Sequence, residues 1–427
     1  MKNETKNFSR SFTSQPKPEQ HIYLYCIESQ RLIPIPIGSE IPSIITWASN
    51  DSSLYFATIQ SNPSNDDDHL NNDEWKDVIQ HRQWKPSDET KDFAGNIRES
   101  ATRPDGGVYI LGQVGTNVQI YTQQSSKKYT ILQHGLDGIC ESISLSSSPH
   151  KNSTIAFVYS SYAQAKEVYV VDSIKQLESA KVITNENRLF TEHNLPRVKT
   201  FKWTSDKDDC AIEELLHYPP GKFKSTNLPL LVLIHSGPHA PNLNQFQLST
   251  DTWGSLAATD GKDIHSGVHR LIQDGIVDLN RLAVVGYSYG GFLNNWLITQ
   301  TTNFKAALSG SGSVDYVSAL GTMKFPPLID YLMGGFPWDT SDIYAKLSPI
   351  YQLDKVRTPT LIVTGEVGIR VPPGQNFMLE RARHYLGVPV QLLIFPTERH
   401  SFRNNPWHGK IKVREELKWL NKYGHQN

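Results

Sequence analysis

The pentapeptide Gly286-Tyr287-Ser288-Tyr289-Gly290 limits the fold of this 427-residue chain more sharply than any other segment. It follows an apolar run that ends at Val285 and precedes the helix-forming run Gly291 to Thr299. A G-x-S-x-G sequence between a strand and a helix is typical of a nucleophile elbow, a strained turn that needs glycines where side chains would collide with backbone. An ordinary glycine-rich turn is the alternative. The setting favours the elbow and predicts that Ser288 is a nucleophile.

Buried-strand patterns alternate with helix-forming segments after Trp203. The runs are continuously apolar, which indicates strands covered on both faces. Their alternation with helices predicts a mainly parallel sheet, and we expect residues 199–427 to form an α/β-hydrolase domain. The strand candidates are Leu230 to Ile234, Leu282 to Val285, Ala306 to Leu308, Leu361 to Val363 and Val390 to Phe395.

Residues 21–198 have a different pattern, in which short runs rich in Tyr, Val and Ile are separated by Ser, Asn, Asp and Gly. This spacing predicts an all-β domain. The segment Trp47 to Asp51, followed by an apolar strand, is typical of a β-propeller corner. At roughly 40–50 residues per blade, about four blades fit, so we expect a partial β-propeller. Residues 1–20 are expected to be disordered, and the acidic run Asn65 to Asp73 to be a solvated loop rather than a metal site.

Composition argues against several classes of partner. Lys and Arg number 42 against 43 Asp and Glu, so no strong field favours nucleic acid or an anionic membrane surface. Cys26, Cys140 and Cys210 lack disulfide or zinc spacing, and no run is apolar enough to span a membrane. These two features lead us to expect a cytoplasmic protein. No HExxH, Walker or Rossmann motif is present, so we also expect no metal and no organic cofactor.

Three further groups are expected to cooperate with Ser288. His400 follows the last predicted strand, where the chain order of a hydrolase places the general base. In the segment His235-Ser236-Gly237-Pro238-His239, directly after a buried strand, the Gly237 N–H is a candidate oxyanion donor. The N–H of Tyr289, the residue after the nucleophile, is the second candidate donor.

With these groups in place, the region from Trp203 to Gly424 resembles the prolyl oligopeptidase family, especially its acylaminoacyl-peptidase and dipeptidyl-peptidase-like branch. The matching segments are His235 to Pro238, Arg281 to Gly291, and Pro359-Thr360 through Val371-Pro372. The resemblance implies hydrolysis of short peptides through an acyl-enzyme on Ser288, with the propeller restricting access to small, unfolded substrates.

The acid of the catalytic triad is missing from the position at which the resemblance predicts it. Thr364 to Pro372 reads TGEVGIRVP, with Gly368 in the place of the family's aspartate. The acid fixes the histidine tautomer, and its loss typically lowers kcat by ~10⁴ without abolishing residual catalysis. Asp315 and Glu366 are the two candidate replacements.

The segment between His235 and Ser288 is short. Only 53 positions separate them, so about 30 residues, enough for a strand and a long loop, are absent relative to the family. We expect the sheet to lack an interior strand, which would expose the edge of the strand ending at Ile234 and leave Thr200 to Pro219 to find another neighbour. A degenerate paralogue and a gene model that skips coding segments both explain this pattern.

Two other functions remain open at this stage. The fold also suits a carboxylesterase, although a propeller argues against one. The glycine at position 368 is equally compatible with an inactive interaction protein whose blades or exposed sheet edge bind other proteins. A short peptide is the expected small-molecule partner, and the sequence leaves a homo-oligomer open.

Overall fold

The computed structural model describes residues 22–26, 29–35, 41–47, 53–59, 73–81, 83–90, 93, 95–103, 106–125, 128–132, 134–146, 154–205, 211–237, 242–246, 261–324 and 326–424. Within these ranges the chain divides into two compact units. One is drawn from Pro16–Val198 and Leu243–Gln247, and the other from Lys199–Asn242 and Leu248–Asn427. The expected disordered N-terminus (1–20), residues 48–51 of the expected propeller corner and residues 65–72 of the acidic run lie outside the described residues.

The N-terminal unit is built from antiparallel sheets. Three have four strands each, in the orders β3-β4-β5-β6, β10-β9-β8-β7 and β11-β12-β13-β14, and β1 pairs with β2. The strands are β1 (Ile22–Cys26), β2 (Arg31–Ile35), β3 (Ile41–Trp47), β4 (Ser53–Ile59), β5 (Asp73–His81), β6 (Gln83–Thr90), β7 (Asn96–Thr102), β8 (Val108–Val114), β9 (Asn117–Ser125), β10 (Lys128–Ile131), β11 (Ile139–Leu145), β12 (Ile155–Ser161), β13 (Gln164–Val171) and β14 (Lys181–Val182). Consecutive four-stranded meanders are the blades of a partial β-propeller, as the sequence predicts.

The blade cores follow from strand alternation. Ile155, Phe157 and Tyr159 of β12 point to one side and are at most 3% exposed, whereas the residues between them are only half-buried. They pack with Ile139 of β11 in the same sheet and with Ile120 of β9 in another sheet. A 3₁₀ helix (Ile174–Ser179) and the short helix α1 (Arg188–Thr191) complete the elements of this unit within the described residues.

The C-terminal unit contains a five-stranded, fully parallel sheet in the order β17-β18-β19-β20-β21. Its strands are β15 (Arg197–Thr204), β16 (Ala211–Tyr218), β17 (Leu228–Ile234), β18 (Val277–Tyr287), β19 (Phe304–Gly310), β20 (Thr360–Gly365) and β21 (Val390–Phe395). The helices are α2 (Gly261–Gln273), α3 (Tyr289–Gln300), α4 (Tyr316–Thr322), α5 (Pro326–Met333), α6 (Ser341–Leu347), α7 (Pro373–Tyr385) and α8 (Pro406–Trp419), with a 3₁₀ helix (Pro349–Lys355) and a π-helical turn (Leu420–Gly424). This is the expected α/β-hydrolase domain.

Two apolar clusters cover the two faces of this sheet. Val284 packs on one face with residues of α3 such as Leu297, and Val285 packs on the other with Trp419 of α8. All six residues of β20 are buried, as expected for a central parallel strand. The sheet is therefore a rigid platform for the loops that leave its strands.

The predicted loss of an interior strand is visible in the topology. No described strand pairs with the outer edge of β17, and β15 and β16 form a separate two-stranded sheet. Leu230, Leu231 and Leu233 of β17 are consequently only half-buried. The hairpin still contributes Trp203 and Ile212 to the apolar cluster on one face of the sheet.

All five strands of the sheet run in the same direction, so the loops after them emerge at one edge. Those loops carry Gly237 after β17, Ser288 after β18, Asp315 after β19, Gly368 after β20 and His400 after β21. The topology alone thus gathers every predicted site position at the carboxyl edge of the sheet.

Candidate active site

Ser288 occupies a strained turn between β18 and α3. Its backbone has φ of 59° and ψ of −117°, a conformation that non-glycine residues rarely adopt. The Ser288 N–H donates to the Gly310 carbonyl (2.8 Å), and the Ser288 carbonyl accepts from Phe292 N–H (2.9 Å). These bonds hold the turn in a geometry that would otherwise relax. This is the conformation of a nucleophile elbow.

The glycines of the pentapeptide are required by close packing. A Cβ at Gly286 would lie 2.0 Å from the Gly290 carbonyl oxygen, and one at Gly290 would lie 2.3 Å from the Ile234 carbonyl oxygen. Backbone atoms cannot yield as a flexible side chain can. The start of α3 therefore packs directly against the end of β17, which brings the turn after β17 next to Ser288.

His400 reaches the nucleophile from the loop after β21. Its Nε2 lies 2.9 Å from the Ser288 Oγ, a hydrogen-bonding distance suited to proton transfer. The structure therefore brings together the predicted nucleophile and the predicted base, which are 112 positions apart in sequence.

The loop of His400 is held by Glu398, whose side chain is fully buried. Its carboxylate accepts hydrogen bonds from the N–H groups of Asn404 (3.1 Å) and Asn405 (2.8 Å) and contacts His408 Nδ1 (2.8 Å). Burial opposes ionisation of Glu398, but these hydrogen bonds prevail and lower its pKa. A buried carboxylate two residues before the base thus fixes the loop on which the base stands.

The other ring nitrogen of His400 is buried and has no hydrogen-bond partner among the described residues. Burial, together with the positive charge of Arg370, lowers the pKa of His400 to about 4. The imidazole is therefore neutral at neutral pH and able to accept a proton. Among the described residues, no carboxylate is hydrogen-bonded to Nδ1, where it would stabilise the imidazolium.

Gly368 lies in the loop after β20, which is hydrogen-bonded to the loop that carries His400. Backbone hydrogen bonds join the loops after β20 and β21, from Glu366 N–H to the Phe395 carbonyl (3.0 Å) and from Val367 N–H to the Glu398 carbonyl (3.0 Å). A Cβ placed on Gly368 would lie 3.8 Å from the backbone nitrogen of His400. The loop that carries Gly368 is thus held against the loop that carries His400.

Neither candidate replacement acid contacts the histidine ring. Asp315 is the N-cap of α4, where its carboxylate accepts from the N–H groups of Val317 (3.1 Å) and Ser318 (3.2 Å). Glu366 is exposed and accepts from the Thr397 N–H (2.9 Å). Both carboxylates are engaged with backbone, and the structure does not bring either to His400 Nδ1.

The turn after β17 lies beside the elbow. Ile234 pairs with Gly286 in the sheet, and the Ser236 hydroxyl donates to the Tyr287 carbonyl (3.0 Å). Gly237 has a φ of 65°, which favours glycine. Tyr289 is the first residue of α3, whose N-terminal dipole favours negative charge. Of the two candidate oxyanion donors, Tyr289 therefore follows the nucleophile along the chain, and Gly237 lies in the turn after the neighbouring strand of the sheet. Pro238 and His239 lie outside the described residues.

Sequence reasoning missed two residues that support the site. Tyr287 occupies a position that the G-x-S-x-G pattern leaves variable. Its hydroxyl donates a hydrogen bond to the His400 carbonyl (2.6 Å). Glu398 was visible only as an acidic residue in the loop before His400. The available signal was the presence of an acidic residue in the short segment between two phenylalanines, Phe395 and Phe402. In the structure these two rings pack on each other.

The described residues contain neither a candidate metal centre nor a candidate membrane-spanning helix. No group of three or more His, Cys, Asp or Glu side chains in those ranges is arranged to hold a metal ion. In the same part of the chain, no helix has both the length and the apolar character needed to cross a membrane.

Comparison with known proteins gives the following matches. Residues 247–426 match the sequence profile of the prolyl oligopeptidase family. The acylamino-acid-releasing enzyme of Rattus norvegicus is 27% identical over 231 residues, covering 45% of this chain and 31% of that protein. An uncharacterized peptidase of Bacillus subtilis (strain 168) is 26% identical over 342 residues, covering 73% and 49%.

The fold has solved counterparts. The acylaminoacyl peptidase of Pyrococcus horikoshii superposes with a TM-score of 0.75 at 18% sequence identity, covering 97% of this chain and 68% of that chain. The alignment with the rat enzyme spans about a third of that enzyme's length. The shared architecture is a propeller followed by an α/β-hydrolase domain.

Proposed function

We propose that this chain is a serine peptidase that hydrolyses short peptides through an acyl-enzyme on Ser288, because residues 247–426 match the prolyl oligopeptidase family. The observation that carries the proposal is the 2.9 Å contact between Ser288 Oγ and His400 Nε2. It supports the assignment because a neutral imidazole at this distance can take the hydroxyl proton as the oxygen attacks.

The chemistry follows the usual course of acyl transfer. Ser288 Oγ bonds to the carbonyl carbon of the scissile amide while its proton passes to His400 Nε2. The N–H groups of Gly237 and Tyr289 stabilise the resulting oxyanion. The C–N bond then breaks, and the leaving amine takes the proton from His400. Water, deprotonated by the same nitrogen, attacks the ester, releases the carboxylic acid and restores the Ser288 hydroxyl.

We further infer that this activity is impaired. In a complete triad the acid holds the histidine tautomer and stabilises the imidazolium, and its loss costs ~10⁴ in kcat. Here Gly368 provides no carboxylate, and the unpaired Nδ1 supports the loss. Residual catalysis from the oxyanion donors and from substrate binding is expected to survive.

A fluorophosphonate probe, which bonds to activated serines, tests the nucleophile. Wild-type protein should be labelled slowly and Ser288→Ala not at all, with Ser313→Ala, a serine on the same edge of the sheet, labelled as wild type. Equal labelling of wild type and Ser288→Ala would refute the assignment. Acylated peptide amides and p-nitrophenyl esters then separate the substrates, since turnover of esters alone would indicate a carboxylesterase.

The second candidate is an inactive interaction protein. The unpaired Nδ1 of His400 and the unpaired outer edge of β17 among the described strands favour it. Folded protein that neither binds the probe nor cleaves any acyl substrate, also after Gly368→Asp, would replace the peptidase proposal with this one.

We propose that the reaction takes place in the cytoplasm and that its substrates are short peptides. Cys140 is a free, buried thiol, and burial raises its pKa to about 12, which makes it unreactive. The cysteine spacing in the sequence favours a reducing compartment. Fractionation of cells that express the chain tests the location.

A further inference from the structure

The side chain of Ser236 connects two turns that meet at the nucleophile. Its hydroxyl donates a hydrogen bond to the backbone carbonyl of Tyr287 (3.0 Å), a residue 51 positions away that directly precedes Ser288. Gly237, the candidate oxyanion donor, directly follows Ser236. One hydrogen bond therefore joins the residue before the oxyanion donor to the residue before the nucleophile.

The paired strands stop short of this turn. The parallel register of β17 with β18 ends at the pair Ile234 and Gly286. The carbonyl of His235, the next residue, still packs against the elbow, because a Cβ at Gly290 would lie 2.6 Å from its oxygen. Gly237 comes two residues later and lies beyond the paired strands. A side-chain hydrogen bond can therefore decide how its backbone is directed.

The turn needs such support because Gly237 is conformationally permissive. Its φ of 65° lies in the left-handed region, which glycine enters readily and leaves as readily, since it has no Cβ. The ring of His235 also contacts the turn, with Nδ1 3.1 Å from the Ser236 carbonyl, but this contact stays within the turn. The Ser236 hydroxyl instead crosses to the strand that ends at the nucleophile.

Resting on the proposed function, we propose that Ser236 is a positioning residue for the oxyanion site. Its hydroxyl holds the turn after β17 against the Tyr287 carbonyl, so that the Gly237 N–H stays directed at the oxygen that becomes negative during attack by Ser288. Ser236 does not touch the substrate and transfers no proton, because its hydroxyl hydrogen is engaged by Tyr287. An oxyanion donor is effective only when it is held at the position where the charge develops.

The test is Ser236→Ala, which removes the hydroxyl and keeps the backbone. Hydrolysis of p-nitrophenyl butyrate by the full chain should show kcat lowered about tenfold with KM nearly unchanged, because the oxyanion forms only on the way to the transition state. Removal of a whole oxyanion donor lowers kcat by roughly 10²–10³, and a misdirected donor should lose part of that effect.

A boronic acid reports on the oxyanion site without turnover. Butylboronic acid forms a tetrahedral adduct with an activated serine, and one oxygen of the adduct takes the place of the oxyanion. Its inhibition constant should rise in Ser236→Ala by about the factor by which kcat falls, because transition-state analogues respond to the same interactions as the transition state. Ser179→Ala is the matched control. The Ser179 hydroxyl donates to the Gln176 carbonyl (2.8 Å) in the N-terminal unit, and its loss should change neither kcat nor boronate inhibition.

Two further measurements separate positioning of the oxyanion donor from other roles. The acid limb of kcat/KM against pH should coincide in Ser236→Ala and wild type, because His400 is unchanged. The urea midpoint of unfolding should fall, because a hydrogen bond between two elements is lost. A hydroxyl that donated directly to the oxyanion would lower kcat without lowering the midpoint, and that result would overturn the positioning role.

The remaining outcomes distinguish failure of the positioning role from failure of the proposed function. Ser236→Ala that is folded by circular dichroism and has the kcat and boronate inhibition of wild type would overturn the positioning role and leave the peptidase proposal intact. A shifted acid limb would also overturn it, because the hydroxyl would then act on the base. Wild-type protein that hydrolyses no ester and binds no boronate would refute the proposed function, and the positioning role with it.

Discussion

The hydroxyl of Tyr287 donates a hydrogen bond to the backbone carbonyl of His400, with an oxygen–oxygen distance of 2.6 Å. The same hydroxyl accepts from the Ser311 side chain (3.1 Å), and the Tyr287 ring lies 5.5 Å from the His400 ring between centroids. The residue before the nucleophile therefore anchors the loop of the base. Because Nδ1 of His400 has no hydrogen-bond partner among the described residues, this contact to the backbone of His400 contributes more to the position of the imidazole.

Tyr287→Phe should lower kcat several-fold while leaving KM nearly unchanged, because the hydroxyl positions His400 and does not touch substrate. The lost hydrogen bond should also reduce the free energy of unfolding by about 1 kcal/mol. Steady-state ester hydrolysis and urea unfolding measure the two effects. Tyr351→Phe, at a tyrosine 59% exposed, is the control and should change neither. A rise in KM with kcat intact would instead place Tyr287 in the substrate pocket.

The pH dependence of kcat/KM should show a base with an unusually low pKa. Burial and Arg370 lower the pKa of His400 to about 4, and the base is active when neutral. Activity should therefore persist down to about pH 5 and fall near pH 4. Arg370→Gln removes a charge that disfavours the imidazolium, so its acid limb should move to higher pH. Arg381→Gln, an exposed change of equal charge, should not move the limb, and a wild-type limb at the ordinary histidine pKa would contradict the assignment.

Much of the architecture could be predicted from local sequence patterns. Continuous apolar runs such as Leu361 to Val363 could only be buried parallel strands, and the pentapeptide around Ser288 fixed the strand-to-helix turn. The unpaired outer edge of β17 among the described strands was also foreseeable, because a separation of only 53 positions from His235 to Ser288 leaves no room for another strand and its loop.

The supporting contacts were not legible, since they depend on where loops meet in space. Tyr287 and His400 are 113 positions apart, and neither sequence segment contains a feature that predicts contact with the other. Asp315 differs from these cases because its structural role could have been predicted from the sequence. It directly precedes a helix, where aspartate is a preferred N-cap, and its carboxylate indeed accepts from the N–H groups of Val317 and Ser318.

Ser288→Gly should be more stable than Ser288→Ala by about 1 kcal/mol, although both lack the nucleophile. The φ of 59° strains any residue with a Cβ, whereas glycine adopts it freely. Both variants lose the bond to His400, so their difference isolates the backbone. Urea unfolding measures it. The same pair at Ser341, the first residue of α6, should show the opposite order because alanine is the better helix former. Equal stability of the Ser288 pair would mean that the turn is not strained.

Glu214, on β16 of the separate hairpin, is 6% exposed, and its Oε1 has no hydrogen-bond partner among the described residues. Burial raises the pKa of this carboxyl well above its ordinary value. The folded chain therefore keeps a proton that the unfolded chain has already released, so the stability contributed by Glu214 is complete below the ordinary glutamate pKa and is lost as pH rises toward the folded value.

Glu214→Gln replaces the carboxyl with a neutral amide of the same shape, so the pH-dependent loss should disappear. The stability advantage of the variant over wild type should grow with pH above about 5, by up to about 1.4 kcal/mol for each pH unit, until the folded pKa is passed. Urea unfolding at pH 5.5 and pH 7.5 measures it. The neighbouring Glu213 contacts Lys202 at 2.7 Å and is the matched control, because Glu213→Gln should change stability little and equally at both pH values. An advantage of Glu214→Gln that is the same at both pH values would mean that this carboxyl is already ionised in the folded chain, with its charge compensated.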